Sequence, residues 1–468
     1  MASGKRRGDK SSSRDNKSSS GRRKIFYFTT YLLFALFVSF SCKSYQNNEI
    51  VIRNESEKPF SYFKVYRGNT HSHTLLTWTH GEHRTKGMND LSQPTEFHPD
   101  WNVPANVDWR DCNSIFVDPN GYTNRQGLPD NHFELAIANG YDFYAITDHS
   151  QEPNFQPVSV DNKAWKAISK AVEKYKRPGF VPLVGFEYSR NTNENGGNGH
   201  MNVLNSSTYI NADHGQRGPA PAWPEANWSI PQFYNWVKNT AKPYKNSGYV
   251  VVGFNHPSAQ QYDDWNNIDA EIAEKICTFE IHTNYNKNRW DAYIRALNKG
   301  WRVSPIGVHD NHGYSAILNK QLPPPTFVLA PELTAETITR ALHERRTFAS
   351  WNEGVEVRYS VNGQFMGSIL KKPDVFKFHI EIITPDSKEN EQVKKIQIVR
   401  NNPYGEGVIV AADKSFEGNK SRIVWDKEIK DTSAKYFFLQ IFHENDIDDT
   451  GNYKSNGSTI SAPVWTGR

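Results

Sequence analysis

Two histidines stand one residue apart in "GNTHSHT", residues 68–74, directly after "SYFKVYR". In an extended segment, residues i and i+2 point to the same side, so the imidazoles of His71 and His73 can converge on one point beyond a strand end. That is a metal-ligand geometry. Two solvent-facing histidines on a loop would show the same spacing, so the rest of the chain has to decide. "FYAITDHS" ends in Asp148 and His149, "FVPLVGFEYS" carries Glu187, and "NGGNGHMNVLN" carries His200. "VVVGFNHPS" carries His256, and "SPIGVHDNHG" carries Asp310 and His312. Nearly all lie at the C-terminal end of an apolar run. In a barrel of parallel strands those ends share one face, where such barrels place their active sites.

The elements that would position these residues can be read from the pattern. From about residue 62 to 345, apolar runs alternate with helical patterns, the signature of βα units and a parallel sheet. "GLPDNHFELAIANG" reads as a helix with Asp130 or Asn131 near its N-cap and Gly140 past its end, feeding the strand "YDFYAI". "DNKAWKAISKAVEKYKRPG" reads as a second helix, stopped by Pro178 and Gly179 and followed by the strand "FVPLVG". Two polar inserts, residues 79–128 and 189–231, interrupt the rhythm, and segments of that kind inside a compact domain are usually functional. After "ALHERRTFAS" the period changes to two. "VEVRYSVNG", "FKFHIEII", "VKKIQIVR", "SRIVWD" and "KYFFLQIFHE" are separated by turn residues, which predicts an antiparallel β-sandwich beginning near Trp351.

The ordered set "THSHT", "ITDHS", "GFE", "GHMN", "NHP" and "HDNHG" resembles the PHP family, named for its polymerase and histidinol phosphatase members. The resemblance covers roughly residues 62–350 and reaches neither the preceding tether nor the sandwich. It implies an α/β fold, a distorted (β/α)7 TIM-like barrel whose strand ends hold two or three divalent ions. Carried over by position, His71, His73, Asp310 and Glu187 would hold one ion. Glu187, bridging, would hold a second with His200 and His256. His149 and His312 would help hold a third, whose remaining ligand falls at His80 or His83 in a register that departs from the family's. His309 is a further departure, since the family more often has a small residue there.

Imidazole and carboxylate donors suit Zn²⁺, Mn²⁺ or Fe²⁺, and the absence of Cys from the set argues against a soft-metal site. Two neighbouring ions can activate a water and neutralise charge on a phosphate, so no protein nucleophile is required. Glu187 and Asp148 are the expected catalytic carboxylates. Asp148, beside His149, reads either as an outer partner or proton carrier, or as a capping carboxylate for its loop. Glu280 and His282, which close "CTFEIHT", read as structural. Arg84, Arg110, Arg125, Arg190 and Arg289 lie in or near the candidate loops and could clamp an anionic substrate.

The formal net charge of +4 misleads, because the first 24 residues carry nine Lys/Arg against two Asp and leave the body slightly acidic. Such a body offers no electrostatic footprint for nucleic acid. The basic head precedes "IFYFTTYLLFALFVSFSC", which reads as an export signal over residues 1–42 with Cys42 in a loose lipoprotein box. The alternative is an uncleaved signal anchor, since the stretch nearly reaches the roughly 20 apolar residues of a spanning helix. Residues 43–61 then form a tether, 62–350 the barrel and 351–468 the sandwich. The expected protein is an exported, membrane-anchored hydrolase of phosphate mono- or diesters, periplasmic or at the cell surface if bacterial, acting on a small or glycan-linked anionic substrate. Hydrolysis of an amide or other ester, or non-catalytic glycan binding, are the alternatives.

Overall fold

The computed structural model describes residues 58–74, 76, 128–150, 159, 161–189, 199–212, 229–258, 261–283, 289–311, 325–371, 373–385 and 389–467. The export segment with Cys42, nearly all of the tether, most of both polar inserts, and His80, His83 and His312 lie outside the described residues.

Seven strands lie side by side in chain order: β1 (Lys64–Asn69), β2 (Phe143–Ile146), β3 (Val181–Ser189), β4 (His200–Leu204), β5 (Val251–Asn255), β6 (Ile276–His282) and β7 (Ser304–Gly307). The pairs β1–β2, β2–β3, β5–β6 and β6–β7 are parallel, as the βα pattern leads one to expect. β4 departs from the expectation of a uniformly parallel barrel, running antiparallel to both neighbours. Only residues 190–199 separate β3 from β4, too few for the crossover of about a dozen residues that parallel pairing requires. The other edge of β1 pairs with β8 (Thr326–Ala330), so the sheet curls on itself. Continuations of β1 and β7 meet at the mouth, where Ser72 bridges Asn311 and the amides of His73 and Asp310 donate to the carbonyls of Asn311 and His71, each at 3.0 Å.

Helices cover the curled sheet. Lys163–Tyr175 is capped by Asn162, whose Oδ1 accepts from the Trp165 amide at 3.1 Å, and it buries Trp165, Ile168, Ala171, Val172 and Tyr175 at helical spacing. Pro129–Ala138 begins two to three residues earlier than the sequence suggests. Its N-cap is Leu128, because Pro129 suits a first-turn position whose missing N–H has no partner anyway. Asn131 then serves from inside the helix, its Oδ1 accepting from the Leu128 amide at 2.9 Å. Gly140, with φ of 71°, supplies the left-handed exit.

The curled sheet does not stop where the sandwich begins. β9 (Thr347–Ser350) pairs with β8, and a further set of strands follows: β10 (Glu356–Val361), β11 (Gln364–Phe365), β12 (Ile369–Leu370), β13 (Val375–Ile383), β14 (Val393–Asn401), β15 (Val408–Ser415), β16 (Arg422–Lys430), β17 (Tyr436–His443), β18 (Thr459–Ser461) and β19 (Val464–Thr466). β10, β11, β13 and β16 form an antiparallel four-stranded sheet, while β18 joins β17 to β9. Alternation along β13 turns Phe376, Phe378, Ile380 and Ile382 inward against Phe437, Leu439 and Ile396. Each such side chain contributes about 1.5–3 kcal/mol by leaving water. Phe327 of β8 and Phe348 of β9 stack at 4.5 Å and belong to this same core. The β-rich region is therefore fused to the edge of the curled sheet, and the described residues pack as one unit.

Candidate metal centre

Glu187 stands near the end of β3, wholly buried, and the other strand ends point their donors at it. Its Oε1 lies 3.5 Å from His71 Nε2, 3.2 Å from His200 Nδ1 and 3.4 Å from His256 Nε2. Its Oε2 lies 2.8 Å from His149 Nδ1 and 3.4 Å from His73 Nε2. Asp310 completes the ring, with Oδ1 3.4 Å from His71 Nε2 and 3.3 Å from His73 Nε2, and Oδ2 3.9 Å from His256. Seven of the ten expected ligands thus converge. His80, His83 and His312 lie outside the described residues.

The backbone pays a local strain for this convergence. Asp310 has φ of 46° and His256 φ of 29°, values that disfavour any residue with a Cβ and that tend to accompany functional sites. Hydrogen bonds hold both in place: the Asp310 amide donates to the His71 carbonyl and the His256 amide to Glu280 Oε2 at 2.7 Å. Gly199, at φ of 81°, sets His200; a Cβ there would lie 2.3 Å from the Tyr262 ring, whose hydroxyl donates to the His200 carbonyl.

Among the described residues, three overlapping groups each gather their donor atoms within 4.8 Å: His71, His73 and Asp310; His73, His149 and Glu187; Glu187, His200 and His256. The residues fit divalent ions. His71 Nε2 and His73 Nε2 face each other at 3.0 Å, close to the roughly 3.3 Å between two nitrogens held at 2.0–2.1 Å in a tetrahedral shell. Buried Glu187 Oε2 faces His149 Nδ1 at 2.8 Å and His73 Nε2 at 3.4 Å, so the carboxylate and these two imidazoles form one compact donor set for a cation. Burial opposes the ionisation of Glu187, yet the imidazoles of His149, His71 and His200 outweigh it and hold the carboxyl well below its usual range. Burial likewise works against protonation of His71, but Glu280, Asp310 and Glu187 raise it well above the ordinary histidine value. Protons and metal ions compete for the same nitrogens.

No family model matches the chain, and no curated protein matches it. Among solved structures it is similar to one from Bacteroides vulgatus described as a two-domain protein containing a predicted PHP-like metal-dependent phosphoesterase. The identity is 15%, over 86% of this chain and 96% of that one, with a TM-score of 0.38. It is also similar to a β-glucosidase from Listeria innocua, at 7% identity over 44% of this chain and 39% of that one, with a TM-score of 0.16. The chemistry of the site rests on its own residues.

Several supports were not singled out in the sequence. Asn255, immediately before His256, donates to Glu187 Oε1 at 2.8 Å and accepts the Asn202 amide at 3.0 Å. Ser189 hydroxyl meets His149 Nδ1. Glu280, read from the sequence as structural, accepts from His71 Nδ1 at 2.7 Å. The two oxygens of Asp148 take the Thr74 amide at 2.6 Å and its hydroxyl at 2.8 Å, so Asp148 clamps the loop that carries His73. His309 turns away from the cluster to Tyr141, 2.8 Å from its hydroxyl, and burial pushes its pKa down to about 3. Arg289 is half-buried, its Nε–H donates no hydrogen bond among the described residues, and the charges of Glu280 and Asp310 partly offset the burial that lowers its pKa. Arg84, Arg110, Arg125 and Arg190 lie outside the described residues.

Proposed function

We propose that this chain is an exported, metal-dependent hydrolase of phosphate mono- or diesters. The observation that carries the reading is Glu187, a sealed carboxylate ringed by five histidines, with both of its oxygens facing imidazole nitrogens. His71, His73, Asp310 and Glu187 would hold one ion and Glu187, His200 and His256 a second, with His149 beside them; Zn²⁺, Mn²⁺ and Fe²⁺ match the donors. When bound, such ions supply Lewis acidity towards the ester and lower the pKa of water.

The chain's own residues do the rest. Glu280 accepts the Nδ1–H hydrogen bond of His71 and so leaves its Nε2 lone pair facing Glu187 and Asp310. Asp148 fixes Thr74, and with it the loop that presents His73. His71 and His73 are sealed, whereas the side chains of His200 and His256 are 15% and 21% exposed, so substrate approaches from the β4–β5 side. Arg289 brings a cation to this surround, which favours an anionic ester over an amide.

Export rests on the basic head and apolar segment of residues 1–42, with lipid on Cys42 or the uncleaved segment as the anchor. Among the described residues no helix is long and apolar enough to cross a membrane. The test is metal content together with turnover on phosphomonoesters, phosphodiesters and amides, after reconstitution with Zn²⁺ or Mn²⁺. About two ions per chain and turnover of phosphate esters are expected. A protein that binds no metal after reconstitution removes the reading, and mass spectrometry of the mature N-terminus separates lipidation of Cys42 from an intact Met1.

A further inference from the structure

A cavity of about 550 Å³ opens where the β-rich region meets the end of β6, lined among others by His282, Trp351, Asn445, Lys454, Asn456 and Ser458. Its size falls within the range of small-molecule sites, which favour seams of this kind. Its position is set by the metal centre's own scaffold. His282 lies two residues beyond Glu280, roughly 7 Å along the strand, and Glu280 is the partner of His71. The His282 carbonyl in turn accepts from the Val308 amide, two residues before Asp310.

The wall is built and held. His282 Nε2 donates to the Ser458 carbonyl at 3.1 Å, the Trp351 amide donates to that same carbonyl at 3.1 Å, and Asp446 anchors Ser458 through its amide at 2.9 Å and its hydroxyl at 2.7 Å. Lys454 is held by the Asn445 carbonyl at 2.7 Å. Against this polar wall stands one large apolar surface. Trp351 is 39% exposed, with its ring 5.2 Å from that of His282. Exposure of an indole beside fixed amides and hydroxyls is the pairing that a sugar ring matches. Its C–H face covers the aromatic ring while its hydroxyls bridge to the polar groups.

We infer that this seam is a saccharide subsite adjoining the metal centre, so that the hydrolysed ester is carried on a sugar. The location of the subsite stands on its own geometry; the phosphate ester rests on the function proposed above. Because the cavity draws one wall from β6 and the other from residues 445–458, it also gives the β-rich region a role in substrate choice.

The test separates the two claims. A panel of neutral mono- and disaccharides is titrated calorimetrically into the full chain treated with chelator. At least one sugar is expected to bind, Trp351→Ala to weaken it about tenfold, and Trp351→Phe to restore most of the affinity, judging by the worth of an aromatic face. With metal restored, Trp351→Ala should raise KM for the corresponding sugar phosphate while leaving kcat/KM for acetyl phosphate, which carries no ring, unchanged. If no sugar in the panel binds, or Trp351→Ala binds as tightly as the parent chain, the subsite is wrong. Loss of all phosphate-ester turnover with sugar binding intact would instead overturn the reaction and leave the subsite standing.

Discussion

His71 Nδ1 donates to Glu280 Oε1 at 2.7 Å, and both side chains are sealed from solvent. Since a carboxylate can only accept, the contact fixes the His71 tautomer and leaves Nε2 as the ligand atom. Glu280 also takes the His256 amide on its other oxygen, so one carboxylate outside the three donor groups orients two histidines within them. Glu280→Gln keeps the shape but can offer an N–H where an acceptor is needed. Metal affinity should fall about 10- to 100-fold, the usual cost of such a change. Competition titration with a chelating dye measures it, and an unchanged affinity would detach Glu280 from the site.

Glu187→Gln should affect turnover most. An amide bridges cations poorly and removes the charge that the surrounding histidines face. The expected loss in kcat is on the order of 100-fold or more, as for single preorganised electrostatic contacts elsewhere. Kinetics and metal analysis on one preparation decide the matter, because near-normal turnover with both ions bound would take Glu187 out of the centre.

Arg289→Ala addresses the substrate's charge. If the guanidinium meets the ester's phosphate, KM for phosphate esters should rise about tenfold, the worth of one charge-assisted hydrogen bond. Metal content should not change. Equal KM values for parent and variant would place Arg289 outside substrate recognition.

Stability should fall in acid through His343. Its ring is half-buried, 3.4 Å from Cys277 Sγ and stacked on Tyr249, and this burial pushes its pKa down to about 3. The unfolded chain takes up this proton near 6.5, the folded chain only near 3. Between those values the unfolded state binds more protons, so stability declines as pH drops through that window. In chelator-treated protein, His343→Gln should flatten this part of a denaturation-against-pH curve, and an unchanged curve would assign the acid sensitivity elsewhere.

The strands of the curled sheet, the period-two strands of the β-rich region and the residues that converge on Glu187 were legible in the sequence, because each follows from local pattern. Apolar runs ending in His, Asp or Glu announce both the strand and its functional end. The pairing of β4 was not legible, although the short link before it holds the reason for its reversal. Its direction emerges only when β3 and β5 lie on either side. Local pattern also placed Asp130 or Asn131 at an N-cap that Pro129 moved to Leu128. The roles of Asp148, Glu280, Asn255 and Arg289 depend on contacts between residues far apart in the chain. A carboxylate reads the same in sequence whether it faces a cation, a histidine ring or a loop amide. The seam between His282 and Trp351 is likewise tertiary, since it exists only because β18 draws Ser458 onto the end of β6. Donor chemistry and strand ends are written locally, whereas the partner of each buried charge is set by packing, which brings distant residues within hydrogen-bond reach and excludes the water that would otherwise serve them.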